Sequence, residues 1–191
     1  MNNTYFILRH GETPYQIKKE ITIYPWPESS PIFLTKRGEG QIEKAAEELV
    51  DKNIDLIFSS DITRTKQTSE IVSRKINVQP IFDIRLREIN YGDYRGKLIK
   101  NYRKEFFTLK QKFFEKPKNG ESGSDVEKRL LDFFNEIDKK YTNKNILIIS
   151  HRGVLHILEG ALMGIKEENL LSENKASSLM TGEFKKLKHK Q

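Results

Sequence analysis

The 191-residue sequence contains no cysteine. This absence excludes disulfide bonds, thiolate metal sites and cysteine nucleophiles, so packing and hydrogen bonds must hold the fold and any nucleophile must be another residue type. The sequence also has no apolar run near the roughly 20 residues that a membrane-spanning helix needs, and residues 1–4 lack the basic and apolar regions of a signal peptide. We therefore expect a cytoplasmic protein with no membrane partner.

Metal-binding patterns are missing as well. The four histidines include no His-x-x-x-His pair, and none of the strand-end histidines has an acidic cluster beside it. A zinc site is disfavoured, and we expect neither a metal nor another cofactor.

The composition is that of a folded globular protein. Apolar residues make up 36% and charged residues 32%, and no linker, repeat or low-complexity segment divides the chain. We expect one domain over residues 1–191. The net charge of +7 invites a nucleic-acid interpretation, but the excess includes a basic tail at about 185–191, and the other lysines form no stripe. We therefore expect no nucleic-acid partner.

Apolar runs typical of buried strands alternate with helical patterns along the chain. Strands are predicted at residues 4–9, 54–59, 78–82, 145–150 and 177–184. Helices are predicted at 35–52, up to 76, at 98–115, from a capping box of Ser124 and Glu127 to 141, and at 154–163. Alternating elements with nearly continuous apolar strands predict an α/β three-layer sandwich, in which helices cover both faces of a mainly parallel sheet.

Four residues that can bind or transfer phosphate follow predicted strands. His10 and His151 come directly after strand ends, where ligands of such sheets bind. Arg64 lies in the first turn of the helix after strand 54–59, where a guanidinium and free backbone N–H groups can face one anion. An imidazole among arginines could attack phosphorus, and Glu88 is a candidate proton donor for the leaving oxygen.

An ordered set of motifs then resembles a known family. The motifs are Arg9-His10-Gly11-Glu12-Thr13, Leu34-Thr35 with Gly38, Ser59-Ser60-Asp61, Arg64-Thr65 with Gln67-Thr68, Arg87-Glu88, Gly92 with Gly96, Gly120-Glu121-Ser122, and Ser150-His151. In this order, over residues 9–153, they resemble the phosphoglycerate mutase-like branch of the histidine phosphatase superfamily. The resemblance implies a metal-independent α/β sandwich in which His10 is the phosphorylated nucleophile. It also implies that Arg9, Arg64 and His151 form the phosphate pocket and that Glu88 acts as general acid and then base.

Two positions depart from the family pattern. Gln16 stands where the family usually has Asn, and it retains amide donors on a side chain one methylene longer. Arg152 stands where the family usually has Gly after the second histidine. Its side chain could crowd the pocket or supply a positive contact for a substrate carboxylate or phosphate, and the sequence leaves both interpretations open.

The sequence favours a phosphatase that acts on a small phosphorylated metabolite. A phosphoglycerate mutase is the nearest alternative, although the segments that mutases of this kind carry after the acid and at the C-terminus look short here. A non-catalytic phosphate-ligand sensor is a second alternative. The paired phenylalanines at 106–107 and 113–114 are interpreted mostly as core, with a homodimer interface as the other interpretation. Tyr24 could equally line the pocket or pack in a loop.

Overall fold

The computed structural model describes residues 1–25, 28, 30–172 and 179–188. Its strands are β1 (Thr4–Arg9), β2 (Leu56–Ser59), β3 (Pro80–Phe82), β4 (Asn145–Ser150) and β5 (Phe184–Lys186). Its α-helices are α1 (Lys36–Val50), α2 (Thr63–Ile76), α3 (Ile99–Glu105), α4 (Leu109–Phe114), α5 (Gly123–Lys140) and α6 (Arg152–Leu162). Strands and helices alternate through most of the chain, as the sequence predicts.

The five strands form one sheet in the order β3-β2-β4-β1-β5. The first four are parallel to one another, and β5 runs antiparallel to β1 at the edge. Because β1 and β4 are parallel, the residues that follow them, His10 and His151, lie at the same edge of the sheet, the one formed by the carboxyl ends of the strands. This is the edge at which open α/β sheets bind ligands.

Helices cover both faces of the sheet because successive strand residues point in opposite directions. Tyr5 and Ile7 of β1 pack into one apolar cluster with residues of α5 and α6. Phe6 and Leu8 pack into a second cluster with residues of α1 and α2. Burial of each large apolar side chain contributes roughly 1.5–3 kcal/mol, so two full layers hold the sheet without disulfides. The predicted three-layer α/β sandwich is confirmed.

Three local predictions were wrong. The predicted helix 98–115 is two helices, α3 and α4, because Thr108 starts a new capping box with Gln111. The box at the start of α5 uses Ser122 and Asp125 rather than Ser124 and Glu127. The last strand begins at Phe184, where the predicted strand ended; residues 177–178 of that prediction lie outside the described residues.

The basic C-terminal tail also starts later than expected. Lys185 and Lys186 belong to β5, Lys185 Nζ lies 2.5 Å from the buried Glu159 Oε2, and Leu187 is buried. Pairing with β1 orders this segment, so residues 185–187 are part of the folded body. Residues 189–191 lie outside the described residues.

Within the part of the chain that the structure describes, no helix combines the length and the apolar character needed to cross a bilayer.

Candidate active site

His10 and His151 meet because β1 and β4 are parallel neighbours in register. Arg9 aligns with Ser150, and the backbone N–H of His10 donates to the carbonyl oxygen of Ser150 at 3.2 Å. The two imidazole rings that follow lie 5.4 Å apart between centroids. Residues separated by 141 positions in the sequence thus form one polar cluster at the sheet edge.

The tautomer of His10 is set by its neighbour. Its Nδ1 lies 2.8 Å from the carbonyl oxygen of Gly11, which can only accept a hydrogen bond, so Nδ1 carries the proton. Burial, reinforced by the charges of Arg64 and Arg9, holds the pKa of His10 well below its usual value. His10 is therefore neutral at physiological pH, and the lone pair on Nε2 is the one available for attack.

Two glycines let the His10 loop pack directly on α1. A Cβ on Gly11 would lie 2.5 Å from the carbonyl oxygen of Gly38, and a Cβ on Gly38 would lie 2.2 Å from that of Glu12. Both distances are well inside van der Waals contact. Gly11 and Gly38 therefore fix the position of the loop that carries His10.

Arg64 supplies a buried guanidinium at the start of α2. Its side chain is 1% exposed, and Nη1 donates to Glu28 Oε1 at 3.1 Å. Its Nε and Nη2 are buried and have no hydrogen-bond partner among the described residues. Buried donors without partners cost about 1–3 kcal/mol each, so an arginine held this way is suited to an anionic ligand.

Arg9 supplies a second guanidinium at the end of β1. Its Nη1 donates to the carbonyl oxygen of Leu179 at 3.0 Å, while its buried Nε has no hydrogen-bond partner within the described part of the chain. Together with Arg64, it makes the surroundings of His10 strongly positive. The two arginines can bind the oxygens of one phosphoryl group.

His151 joins the cluster as the N-cap residue of α6. It is fully buried; its Nε2 lies 3.0 Å from Ser60 Oγ, and its Nδ1 lies 3.9 Å from Glu88 Oε2. Burial, with Arg64 and His10 adding to the effect, holds the pKa of His151 well below its usual value. His151 is thus neutral and available as a hydrogen-bonding group.

Glu88 lies at the rim of this cluster. It follows a 3-10 turn at Ile84–Leu86 rather than a strand end directly, and Ser150 Oγ donates to the carbonyl oxygen of Leu86 at 2.7 Å, which ties that turn to β4. The backbone N–H of Ile89 donates to Glu88 Oε1 at 3.1 Å. The side chain is 21% exposed, so its carboxylate can reach both the pocket and water.

Gln16 and Arg152, the two residues that depart from the family pattern, are exposed, and we call the solvent-facing side of the pocket near them its mouth. The Oε1 atom of Gln16 accepts from the backbone N–H of Thr13 at 2.7 Å, and its Nε2 donates to the hydroxyl of Tyr24 at 2.6 Å. One amide hydrogen of Gln16 is not used by these contacts. Arg152 is exposed at the start of α6. Burial lowers the pKa of Arg9, and the charge of Arg152 adds to this lowering, so Arg152 lies near the end of β1.

Three site residues were not assigned from the sequence. Ser60 was only part of a motif, and Tyr24 was left between pocket and packing. Glu28, which lies 36 positions from Arg64 in a polar segment, carried no signal at all. Only the fold brings its carboxylate to a buried arginine.

Over residues 1–25, 28, 30–172 and 179–188, no group of three or more His, Asp or Glu side chains could hold a metal ion. What the cluster offers is a neutral imidazole nucleophile, cationic phosphate ligands and a carboxylate within reach of water. This set is suited to nucleophilic attack on a phosphoryl group.

The chain belongs to the histidine phosphatase superfamily (branch 1), whose family model it matches over residues 5–183. It is similar to "Phosphoserine phosphatase 1" of Hydrogenobacter thermophilus, with 28% identity over 137 residues, which cover 69% of this chain and 65% of that protein. It is also similar to "Probable phosphoglycerate mutase GpmB" of Erwinia tasmaniensis, with 26% identity over 165 residues, or 84% of this chain and 74% of that protein.

A solved structure confirms the fold. The alpha-ribazole phosphatase of Shigella flexneri superposes with a TM-score of 0.77 at 24% identity, over 95% of this chain and 88% of that one. The predicted family is confirmed, and so is the predicted class of enzyme, a phosphoric monoester hydrolase.

Proposed function

We propose that this protein is a metal-independent phosphatase that hydrolyses a small phosphomonoester through a phosphohistidine at His10. The observation that supports this most directly is the neutral His10, whose Nδ1 proton is committed to Gly11 beside buried guanidinium groups. A neutral Nε2 among cations can attack phosphorus, whereas a protonated imidazole could not.

In the first step, Arg9, Arg64 and His151 hold the phosphoryl oxygens while His10 Nε2 attacks phosphorus. A P–N bond forms as the P–O bond to the leaving group breaks, and the leaving oxygen takes a proton from Glu88. In the second step, water gives a proton to Glu88 and attacks the phosphohistidine. Inorganic phosphate leaves, and both His10 and Glu88 return to their starting states.

Hydrolysis is favoured over the mutase alternative by the surroundings of the acid. A mutase must keep water away from the phosphoenzyme, but Glu88 is 21% exposed at the rim. A non-catalytic sensor is disfavoured because His10, Glu88 and His151 are all present in one cluster. Access of water to the phosphoenzyme therefore distinguishes a phosphatase from a mutase. A mutase would be identified by transfer of the phosphoryl group to a second hydroxyl compound.

The substrate that we propose is a small phosphorylated metabolite with a second anionic group. Arg152 adds positive charge at the mouth, which suits a carboxylate or a further phosphate, and Gln16 can offer one amide hydrogen. The phosphatase relatives act, by their names, on phosphoserine and on alpha-ribazole phosphate. These compounds belong in the first panel.

The test is an assay of phosphomonoesters with and without EDTA, for wild type and His10→Ala. Phosphate release that is unchanged by EDTA and lost in His10→Ala, in a variant with the wild-type circular dichroism spectrum, is the expected result. Loss with EDTA that a divalent ion restores would contradict metal independence. Transfer to an added sugar alcohol or glycerate in preference to water would identify a mutase instead.

A further inference from the structure

Tyr24 contacts the site through both its ring and its hydroxyl. The guanidinium carbon of Arg64 lies 3.8 Å from the centroid of the Tyr24 ring. The ring of Tyr15 is stacked on Tyr24 with centroids 4.4 Å apart and an interplanar angle of 19°. Since two groups cannot occupy one ring face at these distances, Arg64 and Tyr15 lie on opposite faces. The ring of Tyr24 therefore lies between the ring of Tyr15 and the guanidinium of Arg64, and it packs against one side of that guanidinium.

The hydroxyl of Tyr24 closes a ring of hydrogen bonds. Gln16 Nε2 donates to the Tyr24 hydroxyl at 2.6 Å, and that hydroxyl lies 2.7 Å from Thr13 Oγ1. Thr13 Oγ1 donates in turn to Gln16 Oε1 at 2.9 Å, so Tyr24 must be the donor to Thr13. Within this ring each of the three side chains donates once and accepts once, an arrangement in which each bond strengthens the others. Burial raises the pKa of Tyr24, so its hydroxyl keeps the proton that this ring requires.

The two contacts act on different groups of the pocket. The ring face restricts Arg64, whose Nε and Nη2 have no other partner among the described residues, and a desolvated arginine gains most from such a face. The hydroxyl restricts the amide of Gln16 at the mouth. Tyr24 thus links a buried cation, Arg64, and an exposed amide, that of Gln16.

From this geometry we propose that Tyr24 is a positioning residue, which orients Arg64 through its ring and Gln16 through its hydroxyl so that both face the same phosphoryl group. This rests on the proposed function only in taking the pocket to bind phosphate. Tyr24 acts through these two residues, and it takes no part in bond making or breaking.

The two roles can be separated by substitution. Tyr24→Phe keeps the ring face and removes the hydroxyl, so binding of inorganic phosphate should weaken by about threefold. Tyr24→Leu removes both, and binding should weaken by about tenfold or more. Tyr15→Leu is the matched control, because it removes the ring on the far side of Tyr24 and touches no phosphate ligand; its binding should stay within about twofold of wild type.

The experiment is calorimetric titration of inorganic phosphate into wild type, Tyr24→Phe, Tyr24→Leu, Arg64→Lys and the Tyr24→Leu/Arg64→Lys double variant. If Tyr24 acts through Arg64, the loss caused by Tyr24→Leu shrinks in the Arg64→Lys background to that of Tyr24→Phe. A merely structural role would give equal losses in both backgrounds, and it would overturn the proposal, as would wild-type affinity in Tyr24→Leu. Circular dichroism and thermal melting identify any variant that fails to fold. In that case Tyr24→Phe, Gln16→Ala and their double variant decide for the hydroxyl: the loss caused by Tyr24→Phe should vanish in the Gln16→Ala background, and an equal loss in both backgrounds would overturn the proposal.

The two proposals fail in different ways. Phosphate binding by wild type without turnover of any ester would overturn the proposed function and leave the role of Tyr24 to be judged by the binding series. Turnover with no effect of Tyr24→Leu on phosphate affinity would overturn the role of Tyr24 alone. No phosphate binding by wild type would overturn both.

Discussion

The floor and the wall of the pocket are built in different ways. The floor is formed at the ends of β1 and β4 and at the start of α2, where His10, His151 and Arg64 are at most 1% exposed. Sheet register fixes the two histidines. The wall is formed by residues 13–25, 28 and 30–32, among which Gln16 is exposed and Ile17 and Ile21 are 64% and 63% exposed. The sheet ends thus hold the groups that react, while residues outside the named helices and strands hold the groups that orient them.

The wall is anchored at a distance from the chemistry. Ile23 packs with Tyr102 and Phe106 in a small apolar cluster apart from the two main ones. The backbone N–H of Ile23 donates to the carbonyl oxygen of Lys97 at 2.9 Å, and Thr22 forms a bridge with Leu98. Substitutions in the floor should therefore abolish the reaction, whereas substitutions in the wall should adjust ligand affinity.

Arg64→Lys should show the largest effect, because it replaces a rigid planar fork with a single ammonium in the floor. We expect kcat/KM to fall by about a hundredfold or more, measured on the best ester of the panel. Arg85→Lys is the matched control. Arg85 makes a similar forked contact, with hydrogen bonds of 2.7–3.2 Å to the carboxylate of Asp83, and none of these bonds involves a residue of the pocket. A fall in kcat/KM of less than about threefold in Arg64→Lys would show that Arg64 does not bind the phosphoryl group.

Glu88→Gln should separate substrates by leaving group. Alkyl phosphates need a proton on the departing oxygen, so we expect phosphoenzyme formation from them to slow by about a hundredfold, and that from an aryl phosphate with an acidic phenol to slow by less than about tenfold. Single-turnover rates measure both, with Glu136→Gln on the outer surface of α5 as the control. Equal slowing of the two substrates would mean that Glu88 positions the phosphate instead.

The buried neutral histidines should make stability depend on pH. The folded-state pKa values of His10 and His151 lie well below 6.5, so the unfolded chain binds more protons once the pH falls through 6.5, and stability is lost in that direction. Each histidine can contribute up to about 1.4 kcal/mol per pH unit. Urea unfolding between pH 7.5 and 5 measures the slope, and His10→Asn should flatten it. An unchanged slope would show that His10 is not buried neutral.

Glu28→Gln should have the smallest effect and the opposite sign. Glu28 neutralises Arg64 in the absence of ligand, so its removal leaves more positive charge for an anion. We expect inorganic phosphate to bind on the order of threefold more tightly, with a modest fall in melting temperature from the loss of the ion pair. Glu20→Gln, an exposed glutamate of the same segment that pairs with Lys100, is the control. Weaker phosphate binding in Glu28→Gln would show that Glu28 supports the pocket rather than competing with the ligand.

The same contrast explains what could be predicted from the sequence. The floor was predictable because strand periodicity and local motifs locate His10, His151 and Arg64 without knowledge of distant contacts. The wall was not predictable, because Tyr24 and Glu28, which contact Arg64, lie outside the named helices and strands and follow no periodic pattern. The split of residues 98–115 into two helices and the ordering of Lys185 in β5 were missed for a related reason, since a capping box and a strand partner overrode helical and charge patterns.

The homodimer also stays a prediction: Phe106 and Phe113 are buried, while Phe107 and Phe114 are 79% and 50% exposed.

The central claim, that His10 is the phosphorylated nucleophile, is tested most directly by trapping the intermediate. Wild type mixed with a labelled ester and quenched within milliseconds should carry phosphate that is labile to acid and stable to base, and peptide mapping should locate it on His10. His10→Ala should carry none. Turnover of the ester with no protein-bound phosphate at any quench time, or label on a residue other than His10, would contradict the account.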